Sequence, residues 1–200
     1  MAKEKEVIFA TPACIISFPE LFHRAPTSKQ GRKQDPKKWR YQGSFLFGPD
    51  DKGWEEIHEE VNRLKKKLKN KYDHCCLESP EEHDKKYQGY PGNWVLKTKA
   101  DNPKPGVFGL QKGEDGKWLE LTEDEARAYP GLFCGGAIVR ASVSFFTYNN
   151  ETVGIGANLK NVQVLAQGTP FGGGIGSDPN EDFDDEVASE FEEATSGLLD

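Results

Sequence analysis

No run of about 18 apolar residues occurs in this chain, so nothing in it reads as a membrane-spanning helix. The charged opening, Met1 through Glu6, also lacks the apolar stretch a secretory signal needs. Both absences lead us to expect a soluble, intracellular protein without a membrane partner. Cysteine is scarce as well. Cys14, Cys75, Cys76 and Cys134 form no CxxC pair and no regular spacing, which argues against a disulfide framework and for reduced thiols. His74, Cys75, Cys76 and His83 fall close together, but adjacent cysteines rarely ligate one metal, so the expectation is a polar, partly buried loop, with no metal and no cofactor. Most telling is the lack of any lysine or arginine beyond Lys160.

That absence divides the chain by charge. The net charge is −7, from 26 basic and 33 acidic residues, and ten of the acidic ones lie in 178–200. Residues 1–177 therefore hold 26 basic against 23 acidic, a net of +3. A mildly basic body carries a strongly acidic tail. An apolar fraction of 36% is enough for one core but not for two. The expected organisation is one domain over 1–170, a Gly-rich linker over 171–177, and a disordered acidic tail over 178–200. The linker glycines lack the Lys-Ser/Thr and helix of a phosphate loop.

Within the body, Val7 to Phe18 reads as a strand interrupted by Pro12, followed by a mobile basic loop from Pro19 to Lys38. Trp39, Tyr41, Phe45 and Phe47 alternate with polar or small residues, the period of a second strand. Trp54, Ile57, Val61, Leu64 and Leu68 recur at helical spacing and predict a helix from Trp54 to Tyr72, acidic at its start and lysine-rich at its end. Trp94 to Lys99 is a third strand, with Trp94, Leu96 and Thr98 on one side and Val95, Lys97 and Lys99 on the other. A long connection over 101–118 follows. Thr122 to Glu125 has the form of a capping box, and Ala137 to Tyr148 with Gly154 to Leu165 predicts a closing hairpin.

Five strands, with helices added between them, predict an all-β fold: a five-stranded OB barrel with a helix between strands two and three. Such barrels bind oligonucleotides on strands two and three and on the flanking loops. Single-strand binders need cations along the backbone and aromatic planes for the bases. The candidate binding residues are accordingly Arg24, Lys29, Arg32, Lys33, Lys37, Lys38 and Arg40, then Lys97 and Lys99, then Arg140 and Lys160, with Trp39, Tyr41, Trp94 and Tyr148 as aromatics. Those four stand open between stacking and core. Phe45, Phe47, Phe145 and Phe146 are read as core, because alternating aromatics on strands more often face inward.

The hairpin residues Cys134 to Asn150 and Gly154 to Gln163 resemble a phage single-stranded DNA-binding protein family, as do Tyr90-Pro91-Gly92-Asn93-Trp94 and the Gly-rich turn leading to Asp182-Phe183-Asp184-Asp185. The resemblance covers most of the chain. It implies an OB fold, coating of single-stranded DNA in phage replication or recombination in the host cytoplasm, and no catalysis. It also implies that the tail, with Asp182, Phe183, Asp184, Asp185, Glu186 and Phe191, contacts replication proteins. A homodimer is left open. Two other classes compete with this one. A metal-dependent nuclease would have to use Asp182, Asp184, Asp185 and Glu186, which lack a rigid scaffold. An adaptor acting through its acidic tail alone would not bind DNA.

Overall fold

Period-two alternation sets the long strands, and their pairing returns on itself. The structure is a computed structural model that describes residues 6–26, 36–83 and 87–171. Lys29, Arg32 and Lys33, and the tail residues Asp182 to Glu186 and Phe191, lie outside the described residues. In chain order the elements are β1 (Phe9–Ala10), β2 (Cys14–Ala25), β3 (Arg40–Phe47), α1 (Glu55–Lys67), β4 (His74–Cys75), β5 (Leu77–Glu78) and β6 (Trp94–Ala100). They continue with β7 (Gly106–Lys112), β8 (Trp118–Glu120), the short helices α2 (Glu123–Ala126) and α3 (Gly131–Cys134), then β9 (Ile138–Asn149) and β10 (Val153–Ala166).

Five of these strands pair in a closed circuit: β9 with β2, β2 with β3, β3 with β6, β6 with β10, and β10 with β9. Within this circuit every pairing is antiparallel except β6 with β10, which is parallel. The long β10 changes partner along one edge, meeting β4, β6 and β7 in turn while β9 holds the other. Inside the circuit Ile16, Phe45, Leu96, Val139, Val143, Ile155 and Val162 are buried. From α1, Ile57, Val61 and Leu64 join the same core, each burial contributing about 1.5–3 kcal/mol. Trp54 anchors the helix start, its ring stacked on Phe47 at 3.6 Å.

Several expectations need correction. Strand β2 does not stop at Phe18 but runs to Ala25, where the sequence suggested a loop from Pro19. Beyond Ile16 its pairing is with β3, through Glu20↔Gln42 and Ala25↔Arg40. A strand paired on one edge tolerates Pro19, which has no N–H to donate. The connection over 101–118 contains β7 and the start of β8, turned over by Asp115-Gly116 with Gly116 at φ +76°. Helix α1 ends at Lys67, short of Tyr72, because Lys69 and Asn70 take left-handed backbone. The capping box at Thr122 is present in full, and β9–β10 is the expected hairpin.

Candidate nucleic-acid interface

Strand alternation decides which side chains reach the outer surface of the circuit. On β3 and β6 the outward row is Gln42 and Ser44 beside Lys99 and Lys97, paired as Gln42↔Lys99 and Ser44↔Lys97. On β9 and β10 it is Phe146 and Tyr148 beside Gly156 and Gly154. These rows form the floor of a groove of about 830 Å³. Phe18, Tyr87 and Tyr90 wall one side, and His74, Cys75 and Cys76 another.

Phe18 reaches the groove through a bulge. Register between β2 and β3 shifts between Ser17 and Glu20, and Phe18 takes φ +46°, rare for a bulky residue. The strained backbone turns the ring out of the sheet, 49% exposed and edge-on to Tyr87 at 4.9 Å and Tyr90 at 6.3 Å. Behind this wall Tyr90 packs with Leu46 and Val95 in a second small core that also takes Phe171. The Phe171 N–H donates to the Gly135 carbonyl at 3.0 Å. The chain therefore leaves its described part from directly behind the aromatic wall.

Charge in and around the groove is mostly positive but partly engaged. Lys97 donates to Glu78 at 2.6 Å. Burial lowers the Lys99 pKa, and neighbouring Lys97 and Arg40 push it the same way. At the adjoining ends of β2, β3 and β6, Arg24 and Arg40 share Asp101, at 3.5 and 3.3 Å, and Arg24 lies 5.5 Å over the Tyr41 ring. Exposed Lys37 and Lys38 follow on the 3₁₀ turn Pro36–Lys38. In the wall, a hydrogen bond from Cys76 brings the Cys75 thiol down to about 7, and the same bond, together with burial, pushes Cys76 up. Among the described residues no three His, Cys, Asp or Glu side chains converge on a common point.

The structure thus gathers Lys97, Lys99 and Tyr148 in one groove, with Arg24, Lys37, Lys38 and Arg40 near one end. Of the remaining candidates among the described residues it brings in none. Tyr41 and Trp94 pack on the inner core, Trp94 stacked 6.4 Å from Phe47 and edge-on to His58 at 4.7 Å. Trp39 is half-buried and lies in neither apolar cluster. Arg140 is exposed on β9 away from the groove, where it donates to Gln163 at 2.6 Å. Lys160 is held by Glu6 at 2.8 Å, and that ammonium, with the Ser144 hydroxyl, keeps the Glu6 carboxyl below its usual range. Sequence reasoning missed Phe18, Tyr87 and Tyr90, and it placed Phe146 in the core, whereas the ring is 40% exposed and lines the groove. Hairpin register was the available signal for Phe146, because counting back from the turn sets it on the Tyr148 side.

Comparison with known proteins bears on what such a groove does. The family described as "Enterobacter phage Enc34, ssDNA-binding protein" matches residues 6–194. Protein p50 of Acyrthosiphon pisum secondary endosymbiont phage 1 is 29% identical over 193 residues, 89% of this chain and 93% of that one. The solved single-stranded DNA-binding protein from bacteriophage Enc34, in complex with single-stranded DNA, is similar at TM-score 0.63 and 19% identity, over 82% of this chain and 89% of that one. The bacteriophage T7 protein gp2.5, also a single-stranded DNA-binding protein, is similar at TM-score 0.55 and 12% identity, over 90% and 96%.

Proposed function

The chain belongs to the family of the Enterobacter phage Enc34 single-stranded DNA-binding protein, and on that premise we propose that it coats single-stranded DNA, without sequence preference, during phage replication or recombination in the host cytoplasm. Family and structural neighbours are binding proteins and not enzymes. We read the five-strand circuit as an OB barrel, since the pairing of its third strand with its fifth in parallel, and of its first with its fourth, follows that topology. The observation that carries the functional reading is the groove itself. Its floor joins two lysines to two aromatic rings, it runs beside strands two and three, and a cluster of arginines stands at one end. Cations for phosphate and faces for bases are what a sequence-tolerant single-strand site requires.

The acidic tail supplies the regulatory half of the proposal. It follows Phe171, which is packed behind the groove wall, so its ten carboxylates are tethered close to a basic surface of opposite sign. A tethered competitor acts at an effective concentration on the order of millimolar. Bound DNA would displace the tail and leave it free to engage replication proteins through Asp182, Phe183, Asp184, Asp185, Glu186 and Phe191. The test is fluorescence titration of full-length protein and a truncation after Gly176 with labelled oligo-dT, single- and double-stranded, across a salt series. We expect the truncated chain to bind single strands more tightly, most clearly at low salt. Equal affinity for duplex and single strand would count against the groove, and unchanged or weaker binding after truncation would rule out competition by the tail. No DNA binding by either form would favour an adaptor acting through the tail.

A further inference from the structure

Phe146 and Tyr148 are two residues apart on β9, so both rings leave the same side of the hairpin. Directly across, β10 places Gly156 opposite Phe146 and Gly154 opposite Tyr148. Neither glycine has the left-handed backbone that would otherwise explain its choice. What the two positions lack is a side chain, and the rings fill the space. A Cβ on Gly156 would overlap the far end of the Phe146 ring, and one on Gly154 would overlap the Tyr148 ring and hydroxyl. For Phe146 the Cζ, Cε1 and Cε2 atoms all crowd that point, which means the ring lies face-down on the neighbouring strand. Its other face is then turned to the groove, consistent with 40% exposure in a residue otherwise surrounded by sheet. The two ring centroids are 6.2 Å apart, tilted by 47°.

We infer that Phe146 and Tyr148, laid flat by Gly156 and Gly154, form a two-ring platform on which two successive bases of a single strand stack. The assignment rests on the single-stranded DNA reading above and names where its bases sit. Face-exposed rings accept any base, because every base has a π face, whereas edge-exposed rings do not. Lys97 and Lys99, across the floor on β6, lie where the phosphates of the same segment would pass. Rings over glycines also stabilise hairpins, so the experiment has to separate a structural from a binding role.

Full-length protein is titrated with labelled oligo-dT and with an abasic phosphodiester of equal length. Phe146→Leu and Tyr148→Leu keep apolar cover over the glycines and remove the π face. Each is expected to weaken oligo-dT binding about tenfold while leaving the abasic strand unaffected. Phe146→Trp is expected to bind like the original chain. Oligo-dT affinity within about twofold of the original in both leucine variants, or an equal loss on both strands, would overturn the platform and leave DNA binding standing. An original chain that binds neither oligonucleotide would instead remove the underlying functional reading. Photo-crosslinking of the unaltered chain to halogenated oligo-dU needs no variant: adducts on Phe146 or Tyr148 are expected, and adducts confined to other residues would overturn the assignment.

Discussion

Lys99 is an exposed residue of the groove floor, and partial desolvation there, with help from Lys97 and Arg40, lowers its pKa from the usual 10.5. Phosphate nearby favours the charged ammonium, so DNA should raise that pKa again on binding. Binding then takes up a proton wherever the free protein has begun to lose it. Affinity for oligo-dT is therefore expected to fall as pH rises through the lowered Lys99 value, below the range in which an unperturbed lysine discharges. Lys99→Arg, always charged, should flatten that fall. Titrations at stepwise alkaline pH decide it, and identical profiles for the two proteins would remove Lys99 from the phosphate path. Among the aromatics, direction from the strand settles the role. Trp94 and Tyr41 turn inward onto the core, while Phe146 and Tyr148 turn outward into the groove.

At the scale of elements, α1 supports the circuit without entering the groove. Its Ile57, Val61 and Leu64 are buried in the inner core, and none of its residues lines the groove. Leu64→Ala is expected to cost about 2–5 kcal/mol by leaving a cavity under β9 and β10. Oligo-dT affinity of the molecules that remain folded should be unchanged. Denaturant unfolding and titration of the same sample measure both, and a loss of affinity without a loss of stability would show that the helix takes part in binding. The β9–β10 hairpin has the opposite weight. It closes the circuit on one edge and carries the proposed platform on its outer face, so its register is at once a folding and a functional constraint.

For the whole molecule, the relevant quantity is the separation of charge between a body of +3 and a tail that brings the total to −7. Contact between phosphate and four to six of the cations around the groove would give a log–log salt slope of about −3 to −4 on single strands. In the full-length chain DNA must also release the tail, whose own contact with the basic surface weakens with salt. The observed slope of the full-length protein should therefore be shallower than that of the truncated one, and the two affinities should converge at high salt. Parallel lines across the series would mean that the tail never occupies the groove.

Elements were legible in the sequence wherever one periodicity dominated. The α1 stripe, the capping box at Thr122, the two faces of β6 and the terminal hairpin follow from local chemistry, and so does the division between basic body and acidic tail. Residues 19–25 and 101–118 were less legible, because Pro19 and the Gly/Pro-rich composition signal loops, while distant partners hold them as strands: β3 pairs with the end of β2, and β10 and β8 flank β7. The site was half legible. Lys97, Lys99 and Tyr148 carry charge or position that sequence can read, but Phe18, Tyr87, Tyr90 and Phe146 became groove residues only through a bulge, a long excursion between β5 and β6, and cross-strand register. Local sequence determines which side chains can alternate; which side of the closed circuit is inside, and so which rings are left facing water, depends on pairings between residues far apart in the chain.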